Sequence, residues 1–278
     1  MSTTQIYGGH EAHVYFVEES TYGETPANPE MYAVGVVSEV EPSINPNLIK
    51  VRGIGSRDLQ YIRRGLRSAS LKIVYYLQNI NFLQHISTLN SMSIEVYYEK
   101  SSSVVSLLYK GCRIDKLSVN VSAEELVQVT AEVVGQDISV GTAKIGASYG
   151  DYSDPPLTWY ETYVKKNGAA FEKATDYSFT IANNLRRTAV IRSTNGHLLK
   201  YLPERHRTLT GEITCDFEDK TELDETVGDS EFTLEFGLGG EHKALFNGCK
   251  WDADALSTRV DELVAQKLPF TAKTVNIT

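Results

Sequence analysis

Gly9-His10-Glu11-Ala12-His13 brings two imidazoles and a carboxylate into five consecutive positions, residue types that hold zinc. Zinc proteases space such histidines as His-Glu-x-x-His on a helix, where both rings share one face. Here the spacing is His-x-x-His and the surroundings read as the start of a strand, so the segment reads as structural. His85, His197, His206 and His242 are scattered, and none stands beside a serine or cysteine in a nucleophile motif. There is no Gly-x-Ser-x-Gly, no phosphate loop and no dinucleotide fingerprint. Gly237-Leu238-Gly239-Gly240 separates two strand-like runs and reads as a hairpin turn. Cys112, Cys215 and Cys249 cannot all pair and lack Cys-x-x-Cys spacing. They read as small buried apolar side chains rather than a disulfide framework or zinc site. No enzymatic constellation, cofactor or metal centre is expected.

The charged residues are more informative. Glu95, Glu99, Glu132, Glu212, Asp216, Glu231 and Glu235 fall opposite the apolar positions of alternating runs. Singly, each is an ordinary solvated sheet residue; together they make an acidic wall if many copies of the sheet stand edge to edge. Arginines gather elsewhere. Residues 53–66, a span without periodicity, carry Arg57, Arg63 and Arg64, flanked by Arg52 and Arg67, together with Leu59, Tyr61 and Ile62. Residues 193–206 have the same length and the same Leu-polar-Tyr-apolar centre in Leu199, Tyr201 and Leu202, with Arg192, Arg205 and Arg207 in or beside them. Loops this long are usually functional or disordered. Apolar residues at their centres imply that they dock on something. The formal net charge of −9 argues against a general nucleic-acid clamp.

The elements that position these groups repeat along the chain. Tyr109-Lys110-Gly111-Cys112-Arg113-Ile114-Asp115 returns 137 positions later as Phe246-Asn247-Gly248-Cys249-Lys250-Trp251-Asp252. Val51-Arg52 answers to Ile191-Arg192, and Leu59-Gln60-Tyr61-Ile62 to Leu199-Lys200-Tyr201-Leu202, 140 positions on. Arg67 and Arg207 stand at the same offset, as do Ile73, Tyr75 and Leu77 with Ile213, Cys215 and Phe217. Ile94, Val96 and Tyr98 match Phe232, Leu234 and Phe236 at 138, and Glu125-Leu126-Val127 matches Glu262-Leu263-Val264 at 137. Two tandem copies of one domain are expected, over residues 1–145 and 146–278, with 141–156 as linker.

Period-2 alternation predicts strands over residues 12–17, 31–42, 70–77, 94–99, 117–121 and 127–133, with Ile213, Cys215 and Phe217 on one face of a strand in the second copy. Pro46 suggests that the second of these lies at an edge or bulge. Residues 80–89 have helical spacing, and the shorter, more acidic 221–227 predicts a reduced helix in the second copy. Each copy is therefore an antiparallel β-sandwich or partial barrel with at most one short helix and a long inter-strand loop. No apolar run is long enough to span a bilayer, so no membrane anchor is expected, and the start lacks the pattern of a signal peptide.

Glu19-Ser20-Thr21-Tyr22-Gly23-Glu24-Thr25-Pro26, the long loop at 53–66 and the order strand, loop, strand, helix, strand pair, strand resemble tail tube proteins of long-tailed phages and related viruses. The resemblance implies a β-sandwich flanked by a helix, joined into hexameric rings that stack around a DNA channel. A doubled chain would then form trimeric, pseudo-hexameric rings. The resemblance also implies virion localisation after assembly in the host cytoplasm, with a tape-measure protein in the lumen during assembly and other tail proteins at the tube ends. It places the two long loops at neighbouring subunits or rings. The lumen-lining candidates are Lys72, Val74, Tyr76, Glu212, Thr214 and Asp216; Lys72 interrupts an otherwise acidic set. A carboxylate-lined bore would let DNA pass without binding, since each phosphate–lysine contact adds a salt-sensitive attachment. The alternatives are a tube of the same family in a contractile tail or secretion machine, and a tandem β-sandwich adhesin or carbohydrate-binding module. The last would need an exposed aromatic platform, which the 16 tyrosines could supply.

Overall fold

The computed structural model describes residues 6–258 and 263–278; Glu262 of the last repeat match lies outside them. The first half contains β1 (Ala12–Glu18), β2 (Glu30–Ala33), β3 (Val36–Asn45), β4 (Ile49–Val51), β5 (Tyr61–Arg63), β6 (Ser68–Tyr76), α1 (His85–Thr88), β7 (Met92–Lys100), β8 (Ser103–Ser122), β9 (Gln128–Gly135) and β10 (Asp137–Gly141). The second contains β11 (Ser148–Gly150), β12 (Val164–Lys166), β13 (Ala169–Ala170), β14 (Ala174–Ala182), β15 (Thr208–Asp216), α2 (Thr221–Gly228), β16 (Phe232–Gly237), β17 (Lys243–Trp251), β18 (Ala255–Ser257), β19 (Ala265–Thr271) and β20 (Thr274–Ile277).

A single spine sheet crosses both halves in the order β3–β6–β9–β8–β14–β15–β19, and β19 is followed by β18 and the end of β17. Against its inner face stand two flanking sheets. One is β2–β1–β7–β8–β10, with β11 added parallel to β2; the other is β13–β12–β16–β17–β20. Strands β8 and β17 belong to a flank and to the spine at once. Each bends at a glycine in the left-handed region, Gly111 or Gly248, both with φ of 61°. A side chain is strained there, and at Gly111 a Cβ would also meet Gln136 at 2.8 Å. Alternation places Leu71, Ile73, Tyr75, Phe179, Ile181, Ile213, Leu268 and Phe270 between the layers in one continuous apolar core.

The pairings of the two halves run in the same order. β1–β7, β7–β8, β8–β9, β9–β6, β6–β3 and β8–β10 have counterparts in β12–β16, β16–β17, β17–β19, β19–β15, β15–β14 and β17–β20. Register breaks recur as well, between Val37 and Glu39 in β3 and between Ala174 and Asp176 in β14. Ladder partners correct one offset. Met92 and Ile94 face Cys112 and Tyr109, whereas Phe232 and Leu234 face Cys249 and Phe246. Ile94 therefore corresponds to Leu234, 140 positions on, and not to Phe232.

Three further expectations change. Residues 80–89 contain only a four-residue helix, preceded by a turn in which the Asn79 side chain accepts the Asn81 N–H and competes with helical bonding. The second-copy helix is the longer one. Asp219 accepts the Thr221 N–H, and Glu222 and Asp224 place negative charge at the positive end of its dipole. Residues 141–156 are not a free linker: β11 pairs with β2, and the Tyr149 hydroxyl donates to Glu95. Strand β14 escaped the sequence reading, although Tyr177, Phe179 and Ile181 alternate with Ser178 and Thr180.

Candidate assembly interface

The two long loops begin alike. Asn47 and Asn184 both take positive φ, 43° and 51°, and each side-chain amide donates to a carbonyl at the far end of its loop, Leu66 or His206. From there they diverge. The loop at 183–207 folds back onto the first half. Leu199 and Leu202 are fully buried on Val134, beside Leu66 and Leu185. Their carbonyls accept from Gln136 Nε2 at 2.9 Å and Arg113 Nη1 at 2.8 Å, and Asp115 Oδ1 accepts the Leu185 N–H at 2.7 Å. The loop at 46–67 instead projects as the β4–β5 hairpin. Leu59 is 36 % and Ile62 57 % exposed, and Tyr61 and Ile49 are also open to solvent. Burying a leucine contributes about 1.5–3 kcal/mol, so the same motif that stabilises one half leaves apolar surface unused in the other.

The predicted arginines divide accordingly. Arg67 pairs with Asp137 inside the chain, and Arg192 donates to the carbonyls of Asn195 and Leu198. Arg52, Arg57, Arg63, Arg64, Arg205 and Arg207 are exposed and make no ion pair among the described residues. Tyr201 remains half-exposed.

Lys72, Val74, Tyr76, Glu212, Thr214 and Asp216 all point to the outer face of the spine, as the ladder partners require; Val74 alone of the six is buried. That face also carries Ser118, Asn120, Thr130, Ser178 and Thr180. Its carboxylates, Glu39, Glu41, Glu132, Asp176, Glu212 and Asp216, outnumber Lys72, Lys116, Lys267 and Lys250, the last of which lies 2.7 Å from Asp229. Lys72 lies 3.1 Å from Glu39 and 3.4 Å from Glu41, Lys116 3.4 Å from Glu132, and Lys267 3.9 Å from Glu212. Each lysine is thus screened by a neighbouring carboxylate. The acidic wall is smaller than expected from sequence, because alternation does not reveal which sheet a strand joins. Glu95 is buried in the first flank, accepting from Ser106 Oγ, Tyr149 Oη and the Ile145 N–H. Glu235 is held by Tyr163, Lys165 and Lys243 on the second flank, and a hydrogen bond from the Tyr163 hydroxyl is the main cause holding its pKa below the usual range. Glu99 pairs with Lys144 and Glu231 with Lys273.

Two buried carboxylates hold the scaffold together. Glu19 accepts from the N–H groups of Gly23 and Gly111 at 2.8 Å and from Ser93 Oγ at 2.7 Å, tying the turn at 19–26 to the β8 bend. Glu222 lies between Lys166 at 3.1 Å and Lys173 at 2.8 Å, all three nearly buried. Burial opposes its ionisation, but the bonds from Lys173 and Lys166 outweigh it and lower its pKa. The cysteines are buried and unpaired; burial raises the Cys215 and Cys249 thiols to about 11.

The structure is thus two β layers with a polar outer spine; among the described residues its sheet edges are unpaired at both ends and no helix is long and apolar enough to cross a membrane. The family model for the phage tail tube protein matches residues 9–272, and the chain belongs to that family, whose members are tail structural proteins. No curated protein matches the chain. Among solved structures it is similar to a chain in the virion of a native gene transfer agent particle, at 7 % identity and a TM-score of 0.35, covering 43 % of this chain and 96 % of that one. It is also similar to a chain in the six-fold symmetrised baseplate of the anti-feeding prophage, at 14 % identity and a TM-score of 0.36, covering 53 % and 99 %.

Proposed function

We propose that this chain carries two tube domains, over residues 1–145 and 146–278, and that three chains close into a pseudo-hexameric ring. Rings stack into the tail tube, with the outer face of the spine lining the channel through which viral DNA passes. The observation that carries this reading is the β8–β14 pairing. It joins the spine strands of the two halves edge to edge, and leaves the outer edges of β3 at one end and β17–β18 at the other without partners among the described residues. Unpaired edges invite addition of strands, and closing the sheet through rotational symmetry removes them. The repeated pairing order and the repeated bulges support the doubled domain. The serine- and threonine-rich spine face, with its lysines screened, suits DNA that must slide rather than bind. Tape-measure protein would occupy the same lumen before DNA does, and other tail proteins would cap the tube ends.

Electron microscopy of the purified protein across a concentration series tests this. Annular particles of three-chain mass, stacking into hollow rods, are expected. A monomer at every concentration would overturn the proposal. The carbohydrate-binding alternative is less well supported. Trp159 and Tyr160 are exposed, but their rings meet at 85° and offer no flat stacking platform.

A further inference from the structure

Between its halves the chain contains a finished joint whose two sides recur, unfinished, at its ends. On one side of the joint is β8, whose counterpart is β17–β18. Ser118, Val119 and Asn120 face Thr130, Val129 and Gln128 of β9, just as Ala255, Leu256 and Ser257 face Lys267, Gln266 and Ala265 of β19. On the other side is β14, whose counterpart is β3. Thr180 and Ile181 face Thr210 and Leu209 of β15, just as Ser43 and Ile44 face Ser70 and Ala69 of β6. Both correspondences hold at an offset of 137. Burial follows completion of the joint. Ile181 and Val119 are fully buried inside it, whereas their counterparts Ile44 and Leu256 are 46 % and 43 % exposed. The same contrast separates Leu199 and Leu202 from Leu59 and Ile62.

We infer that the contact between neighbouring chains repeats this internal joint residue for residue: β3 of one copy pairs antiparallel with β18 of the next, Ser43 opposite Ala255, and Leu59 and Ile62 of the first copy cover Thr271 of the second. This deepens the ring reading above and rests on it. Internally, Ser118 and Thr180 touch through their hydroxyls at 2.8 Å; their counterparts are Ala255 and Ser43. Gln136 and Arg113, which hold the Leu199 and Leu202 carbonyls, correspond to Lys273 and Lys250. Those ammonium groups carry the donors to hold the carbonyls of Leu59 and Ile62. They now pair with Glu231 and Asp229, so they must share or exchange partners when copies meet. Asp115, which accepts the Leu185 N–H, corresponds to Asp252, which in the joint between copies accepts the Leu48 N–H of the neighbour while keeping its bond from Thr271.

The repeat is not perfect, and the departures have a direction. Pro42 stands where β14 has Phe179, and a proline on an edge presents no donor. Thr271 replaces the buried Val134. The joint between chains is therefore weaker than the one within, and a lone chain is less prone to pair its β3 edge at random.

The test is a cysteine pair, Ser43→Cys with Ala255→Cys, oxidised after assembly. Directly opposite residues bring Cα atoms within disulfide range, and a shift of two residues removes them from it. Covalently closed trimers on a non-reducing gel are expected. Each single variant, and the displaced pair Ser43→Cys with Ser257→Cys, should give none. Rings visible by microscopy without cross-linking of the matched pair, or with stronger linking of the displaced pair, would overturn this joint while leaving the ring reading intact. Absence of any assembly in the unmodified chain would overturn both. Leu59→Asp provides a second readout: an unchanged monomer melting curve with at least tenfold weaker assembly is expected, and normal assembly counts against the joint.

Discussion

Glu222 shows how far a single carboxylate can matter in a protein built of strands. It is almost wholly buried between Lys166 and Lys173. Removing one member of such a cluster leaves uncompensated charge and costs about 3–5 kcal/mol. Glu222→Gln should therefore lower the unfolding free energy by about 3 kcal/mol in a denaturant titration. Its folded-state pKa lies below the unfolded value, so its contribution is complete above about pH 4.3 and is lost as pH falls through the depressed folded value. The variant should accordingly show a flatter loss of stability on acidification than the parent. Leu199 and Leu59 make a second comparison. Leu199→Ala should cost about 2–5 kcal/mol in the isolated chain. Leu59→Ala should change it by less than about 0.5 kcal/mol, read from the same titration. The sequence assigned these two leucines one role; it could not tell that only one has its receptor within the same polypeptide.

At the scale of elements, the β4–β5 hairpin presents Arg63 and Arg64 without ion-pair partners among the described residues. The double charge reversal Arg63→Glu, Arg64→Glu should leave the circular dichroism spectrum and melting temperature unchanged and abolish tube formation under the microscope. Strands were legible where alternation was strict, as in β6, β7 and β16. The repeated Gly-Cys motif falls at the bends of β8 and β17, at Gly111 and Gly248. Strand β14 escaped the sequence reading although Glu39, Ser43 and Ile44 of β3 match Asp176, Thr180 and Ile181 in kind at 137; Pro42 against Phe179 interrupts the match. The helices were ranked in the wrong order because periodicity counts apolar positions. Asp219 accepts the Thr221 N–H at the start of α2, a contribution that apolar periodicity does not register.

For the molecule as a whole, the sequence conveyed a mainly β chain but not how its two halves meet. The β8–β14 ladder is a long-range pairing between halves, and no local pattern encodes it. The balance of charge on the spine's outer face carries its own prediction. Replacing Glu132 and Glu212 by lysine removes the screening partners of Lys116 and Lys267. Assemblies of that variant should retain duplex DNA in a mobility-shift assay at about 50 mM salt and release it by about 200 mM, while the parent retains none.

The tether between the lobes also fixes arithmetic. In the proposed ring, a polypeptide that contributes its lobes in twos can close only around a circumference with an even number of them. Five- or seven-lobed cylinders, to which a single-lobed subunit could stray by a small change in bend, are closed to it. The bore of the proposed tube is thereby protected against a miscount by one.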